Sequence, residues 1–163
     1  MKVNEIQVGK YYHDAKEGVR EVLAIEGGPL RVKYKLLAAK QTQEYDYKTR
    51  AMKSRIGEIA VVSLETFASW AKSVHDQGSI EDVLLTLEAK KVKLSPGEQA
   101  FVRGALEAAE GKLEAGKRVG IDHTEGRAVA GLVKKGVVHR IGDEAEFTRL
   151  GAACARATDA VSD

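Results

Sequence analysis

The C-terminal part of the chain carries the most restrictive order of local signals. A short turn, Gly120–Asp122, precedes an amphipathic run that stops at Gly136. Two short apolar segments then flank the turn Gly142–Glu144, which is typical of a β-hairpin. Thr148 opens an alanine-rich run, which favours a last helix. The sequence therefore predicts a helix, a hairpin and a helix in succession, which is an α+β arrangement.

A second group of signals precedes the turn. Ser95 can cap a helix whose first position is Pro96, where the missing N–H costs nothing, and Glu98 can reach back to the cap. We expect this helix to span residues 96–110, with a short helix over residues 113–119 after it. Thr124 is expected to cap the helix that follows the turn.

Two further motifs complete the pattern. Leu132–Val138 joins the helix to the hairpin, and Phe147–Gly151 (FTRLG) opens the last helix. With these motifs, residues 95–158 resemble a winged helix-turn-helix domain of MarR-like layout. The resemblance implies that double-stranded DNA is the partner, that the helix after the turn is the recognition helix, and that the hairpin is the wing.

The DNA-binding residues that this resemblance implies lie on and beside the recognition helix. They are His123, Thr124, Arg127, Lys134, Lys135 and Arg140. Residues near the start of a recognition helix usually contact bases, and the Arg127 guanidinium can pair in two places with a guanine edge. Lys134 and Lys135, at the far end of the helix, suit phosphates.

The expected wing is acidic, which opens an alternative function. Asp143, Glu144 and Glu146 lie at or beside its tip, and each carboxylate would repel a phosphate backbone. Winged helices also serve as protein-interaction and dimerisation units. The alternative is therefore a protein-interaction module or adaptor, or an inhibitory factor of a mobile element such as a phage or plasmid, without DNA contact. A homodimer is also open.

The first sixty residues follow a strand pattern. The predicted strands are Lys10–His13, Val19–Ile25, Leu30–Ala38 and Ile59–Val62. Alternation from Arg31 to Leu36 places Tyr34 toward a core and the basic residues toward water. These strands predict a small β-barrel or a twisted antiparallel sheet, loosely SH3-like, that ends in a helix capped by Ser63. Polar residues 74–79 then separate a domain at 1–76 from one at 79–163.

The positive charge of the chain is concentrated in the N-terminal half. Residues 1–78 hold 13 Lys and Arg against 10 Asp and Glu, whereas residues 79–163 hold 13 against 14. The excess comes from a second candidate basic surface, namely Arg31, Lys33, Lys35, Lys40, Lys48, Arg50, Lys53 and Arg55. Tyr45 and Tyr47 lie among these residues, so the stretch fits either stacking on a single strand or a solvated face with tyrosines in the core. Residues 48–55 fit a phosphate-binding loop or a polar hairpin connection.

The remaining features favour a non-enzymatic protein without a cofactor. The four histidines and Cys154 lack metal-ligand spacing, and no nucleophile or phosphate-loop motif is present. One cysteine forms no internal disulfide, which favours the cytoplasm, and no apolar run approaches the roughly 20 residues that cross a bilayer. We therefore expect a DNA-binding protein, either a small transcriptional regulator or an accessory factor.

Overall fold

The computed structural model describes residues 1–159, and over these residues the chain is α+β, as expected. It divides into two compact units, Met1–Leu84 and Leu85–Asp163, each with its own hydrophobic core. The boundary expected between residues 76 and 79 falls in the first turn of a helix, Gln77–Lys91. This helix continues past Leu84, where the first unit ends. The polar stretch 74–79 is therefore not a linker.

The N-terminal unit is built mainly from strands. After a 3-10 turn at Val3–Glu5, they are β1 (Tyr11–His13), β2 (Val19–Glu26), β3 (Arg31–Ala38), β4 (Gln43–Asp46), β5 (Ala51–Ser54), β6 (Ile59–Ser63) and β7 (Ser73–His75). Helix α1 (Leu64–Trp70) lies between β6 and β7, and Ser63 caps it by accepting a hydrogen bond from the Thr66 N–H at 3.2 Å. The helix Gln77–Lys91 is α2.

Five of these strands form one antiparallel sheet in the order β6-β3-β2-β1-β7. The structure thus has the antiparallel sheet rather than the closed barrel, because no pairing joins β6 to β7 within residues 1–159. Both remain edge strands. Strands β4 and β5 pair only with each other and form a separate hairpin.

Aromatic side chains fill the N-terminal core. Alternation along β3 buries Val32, Tyr34 and Leu36, as predicted. Tyr34 and Tyr12 pack against Phe67 of α1, with ring centroids 5.8 and 5.4 Å from that of Phe67. The hydroxyl of Tyr12 also donates to the Glu5 carbonyl oxygen and accepts from the Gln7 N–H, so it ties the first residues to the sheet.

The C-terminal unit combines the second half of α2 with three further helices and a small sheet. After α2, its elements are α3 (Pro96–Ala108), β8 (Arg118–Gly120), α4 (Gly126–Lys134), β9 (Val138–Ile141), β10 (Glu144–Phe147) and α5 (Arg149–Asp159). The capping box of Ser95 and Glu98 is present as predicted. The sheet order is β8-β10-β9, and β9 and β10 form the expected hairpin. Cys154 is buried in this core, and burial raises the pKa of its thiol.

The helix expected over residues 113–119 is wrong. Gly116 has a φ of +85°, which an α-helix does not allow, and the chain then forms strand β8 paired with β10. Between β8 and β9 the structure describes a single helix, α4, so the pair of helices joined by a turn is not found in residues 113–134. Thr124 is not the cap of α4 either, since Glu125 holds that position without a side-chain hydrogen bond.

The FTRLG motif has a structural role at the start of α5. Thr148 Oγ1 accepts a hydrogen bond from the Gly151 N–H at 3.0 Å and lies 2.6 Å from the Gly136 carbonyl oxygen, to which it donates. Gly151 packs against the backbone of Val137, where an added Cβ would lie 2.0 Å from the carbonyl oxygen. Only glycine therefore lets α5 pack this close to the junction of α4 and β9.

The substitution Gly151→Ala tests this close approach. We expect it to lower the free energy of unfolding by about 3 kcal/mol, the upper end for overpacking, because backbone rather than a flexible side chain must move. The matched control is Gly104→Ala in α3, where a Cβ meets open space and alanine should stabilise the helix by about 0.5–1 kcal/mol. Urea unfolding of both variants measures the difference, and equal stabilities would contradict the packing.

Candidate nucleic-acid interface

The exposed face of α4 keeps part of the predicted site. Arg127, Ala130 and Lys134 are exposed at helical spacing, so they form one stripe. His123 and Thr124 are exposed in the preceding turn, where the Asp122 carboxylate accepts hydrogen bonds from the backbone N–H and the hydroxyl of Thr124. Arg127 and Lys134 therefore share one exposed face of α4, and His123 and Thr124 are exposed just before its start.

Lys135 does not belong to that face. Its ammonium donates to the Glu98 carboxylate and to the Lys93 carbonyl oxygen, the latter at 2.7 Å. Glu98 is only 6% exposed, and a buried carboxylate is costly unless it is paired and hydrogen-bonded. Lys135 is thus committed to the fold, and its expected role as a phosphate ligand is not supported by its position.

The partners of Glu98 also decide its ionisation. Burial alone would raise the pKa of this carboxyl, but the hydrogen bonds from Lys135 and from the Ser95 N–H, together with the lysine charge, hold the pKa below its ordinary value. Gly131 makes the arrangement possible, because an added Cβ would lie 2.1 Å from Glu98 Oε1. Glu98 therefore stays ionised where α3 and α4 meet.

The β9–β10 hairpin presents few cations. Arg140 donates from Nε to the Gly142 carbonyl oxygen at 3.2 Å, so its guanidinium folds toward the hairpin's own turn. On the exposed face, Glu144 and Glu146 of β10 flank Arg118 of β8, with 2.9 Å between Arg118 Nε and Glu146 Oε2. Sequence analysis did not single out Arg118, since its partners lie far along the chain.

The N-terminal basic surface divides into two separate groups. Arg31, Lys33 and Lys35 alternate along the outer face of β3. Lys33 is paired in register with Val61 of the edge strand β6, and Lys35 with Ile59, and both aliphatic side chains are more than half exposed. Cations beside aliphatic side chains form a mixed face rather than an aromatic one.

The second group lies on what we call the hairpin arm, residues 43–54, which comprises β4, β5 and their connecting turn. Tyr45 and Met52 are a cross-strand pair, and Tyr47 lies two residues beyond Tyr45. The exposed fractions are 44% for Tyr45, 58% for Met52 and 85% for Tyr47. Of the two alternatives for this stretch, a solvated face with its tyrosines in the core therefore does not hold for Tyr45 and Tyr47, whereas Tyr34 is buried as predicted.

The tip of the hairpin arm is ordered by Asp46. Its Oδ1 accepts hydrogen bonds from the N–H groups of Lys48 at 2.8 Å and Thr49 at 3.4 Å, and these bonds lower the pKa of the carboxyl. Lys48 and Arg50 occupy the turn, and Lys53 lies on β5. All three are exposed, and none forms an ion pair with any residue in the described part of the chain.

Arg55, which lies just beyond the hairpin arm, differs from the cations of the arm. Its Nε lies 3.9 Å from Glu44 Oε2 and 3.7 Å from Glu58 Oε2. Arg55 thus has two carboxylates within ion-pair distance, unlike Lys48, Arg50 and Lys53, but its Nε forms no hydrogen bond with either of them.

A cleft of about 390 Å³ opens beside the hairpin arm. Its walls combine tyrosine rings, cations and carboxylates, contributed mainly by Tyr45, Tyr47, Lys48, Lys53, Glu44 and Glu58. The volume lies in the range of small-ligand sites, which is about 300–1,000 Å³. Aromatic walls with nearby cations suit a flat, partly charged ligand.

Comparison with known proteins finds no family model that matches the chain, and no significant match among curated proteins or solved structures. Within residues 1–159, the structure holds no group of three or more side chains placed to ligate a metal ion. In the same residues, no helix has the length and apolar character that crossing a bilayer requires.

The substitution Lys135→Met tests the buried pair. It should lower the free energy of unfolding at pH 7 by about 1–3 kcal/mol, because Glu98 is left buried without its cation. The folded-state pKa of Glu98 is depressed, so its contribution is complete above the unfolded pKa of about 4.3 and is lost as the pH falls through the lower folded value.

The wild type and Lys135→Met should therefore converge as the pH approaches that range. Urea unfolding at pH 7 and near pH 4 measures this convergence, with Lys134→Met on the exposed face of α4 as the matched control. Two results would be inconsistent with the Glu98–Lys135 pair. One is a decrease in the free energy of unfolding that is as large in Lys134→Met as in Lys135→Met, and the other is a difference between the wild type and Lys135→Met that does not change with pH.

Proposed function

We propose that the protein is a non-enzymatic, cytoplasmic DNA-binding protein, a small regulator or accessory factor, and that the hairpin arm is its main DNA contact. The observation that carries the proposal is the exposure of Tyr45, Tyr47 and Met52 beside the unpaired cations Lys48, Arg50 and Lys53. Neither set of side chains serves the core of the N-terminal unit, which Tyr12, Tyr34 and Phe67 fill.

Charge supports the hairpin arm as a phosphate-binding element. Lysine and arginine side chains that neutralise phosphates release counterions, and this term supplies most of non-specific affinity for DNA. The tip presents Lys48 and Arg50 on a turn that Asp46 holds in place, so little order has to be gained on binding. A two-stranded ribbon also fits the major groove, which admits such a ribbon as readily as a helix.

The face of α4 is a second contact surface within the same proposal. Arg127 and Lys134 are exposed on one stripe, and the exposed Ala130 between them allows close approach. The single helix that the structure describes between β8 and β9 counts against a relation to winged helix domains, so the proposal for this face rests on its exposed cations alone. Because Lys135 is paired with Glu98, this face offers two cations on α4 itself, Arg127 and Lys134.

The substitutions Lys48→Ala and Lys53→Ala test the main contact. Each should weaken binding to a mixed-sequence duplex, and each should reduce the slope of log K against log salt by about 1, since one phosphate contact is removed. Fluorescence anisotropy at several low salt concentrations measures both. Lys112→Ala, an exposed lysine in the C-terminal unit, is the matched control and should leave affinity and slope unchanged.

The variant Arg127→Ala completes this experiment. A slope unchanged in the two arm variants but reduced in Arg127→Ala would move the contact to α4. If the wild type does not bind any duplex or single strand at low salt, the proposed function itself is wrong.

A protein-interaction module is the second candidate function. The outer face of β3 and β6 favours it, because Ile59 and Val61 are exposed beside Lys33 and Lys35 on an edge strand. Edge strands have free backbone groups that a partner's strand can pair with, and aliphatic side chains give such pairing specificity.

Pull-down from a nuclease-treated lysate separates the two functions. Under the DNA-binding proposal, partners captured by the wild type should disappear after nuclease treatment, because DNA bridges them. A partner that persists after nuclease and is lost in Val61→Glu, but not in Tyr47→Ala, would favour the interaction module. The two variants form a matched pair, because Val61→Glu changes the exposed face of β3 and β6 and Tyr47→Ala changes the hairpin arm.

A further inference from the structure

Resting on the proposed function, we infer that the hairpin arm binds unpaired nucleotides, with bases stacked on Tyr47 and Tyr45 and phosphates on the cations of the tip. The preferred substrate is then single-stranded DNA, or a single-stranded segment within a duplex. The juxtaposition of an open aromatic pair, three exposed cations and a cleft carries this inference.

The geometry of the two tyrosines leaves ring faces open. Their centroids are 5.0 Å apart and their planes lie at 82°, so the edge of one ring meets the face of the other. With 85% of Tyr47 exposed, its ring is open to a base without any rearrangement of the core. Edge-to-face contact is a favourable arrangement of two aromatic rings.

The surrounding charges decide which part of a nucleotide goes where. Glu44, Asp46 and Glu58 line the cleft together with Lys48, Lys53 and Arg55, so its carboxylates and cations balance and the cleft has no net charge that would favour a phosphate over a neutral base. Lys48 and Arg50 lie in the tip turn, with Lys48 also lining the cleft, and their exposed charges can attract a phosphate backbone that passes the tip. The cleft therefore suits the base and the tip suits the phosphates.

Pairing in a duplex removes the surface that this arrangement needs. Bases inside a duplex are stacked on one another, and a side chain reaches a base face only when that base is unpaired or extruded. Single strands offer every base face, and stacking on aromatic side chains is nearly independent of sequence. The exposed tyrosines would contribute little to duplex binding, but they would contribute directly to single-strand binding.

Anisotropy titrations of the full chain test the inference with three probes of equal length. These are a mixed-sequence single strand, its duplex, and a single strand with abasic sites in its middle. We expect the wild type to bind the intact single strand most tightly. Tyr47→Ala should weaken that binding by about tenfold, which corresponds to about 1.4 kcal/mol, leave duplex binding nearly unchanged and leave the salt slope unaltered.

Tyr47→Phe is the matched control, because it keeps the ring and removes only the hydroxyl, and it should bind as the wild type does. The abasic strand should bind the wild type about as weakly as the intact strand binds Tyr47→Ala. Because Tyr47 is exposed, thermal unfolding should give the same midpoint for all three proteins.

The outcomes separate this inference from the proposed function. Duplex binding as tight as single-strand binding, or a Tyr47→Ala variant that binds the single strand as the wild type does, would overturn stacking and leave DNA binding in place. Absence of binding to all three probes would overturn both. Capture of a protein partner that depends on Tyr47 after nuclease treatment would assign the tyrosines to a protein interface instead.

Discussion

The buried carboxylate of Glu98 fixes how α3 and α4 of the C-terminal unit meet. It accepts hydrogen bonds from the Ser95 N–H at the start of α3 and from Lys135 just beyond the end of α4. A charge with 6% exposure is tolerated only with such partners, and its closeness to α4 requires glycine at position 131. Because Lys135 is engaged in this contact, it is not among the free cations beside the exposed face of α4.

Local and periodic signals in the sequence predicted much of this fold. The capping box at Ser95 and the cap at Ser63 depend on residues within three positions, so neighbouring letters are enough to identify them. The alternation along β3 predicted a buried Tyr34 because a strand with one core face has a period of two. The hairpin at Gly142 followed from its turn, where glycine has a φ of +61° in the first central position.

The errors concern contacts between residues far apart in the chain. Strands β7 and β8 are each three residues long. Strand β7 is stabilised by its pairing with β1, and β8 by its pairing with β10. Lys135 was expected to contact phosphates because it follows the end of a helix. Its acceptor, Glu98, belongs to another helix, and the sequence alone does not show that the two residues are neighbours. Tyr45 and Tyr47 share their composition with the buried tyrosines, and only the packing around Phe67 shows that the core has no place for them.

Because of these corrections, the hairpin arm is a better candidate contact surface than the face of α4. The α4 face retains Arg127 and Lys134, and the hairpin that follows it carries Glu144 and Glu146, whose ion-pair partner in residues 1–159 is Arg118. The hairpin arm keeps three cations free of ion pairs in that same range and adds rings that phosphate binding alone would not require. Exposed aromatic surface lowers solubility and raises the risk of aggregation, so its presence beside cations favours a ligand with both charge and flat apolar faces. A nucleic acid has both, and an unpaired strand exposes both at once.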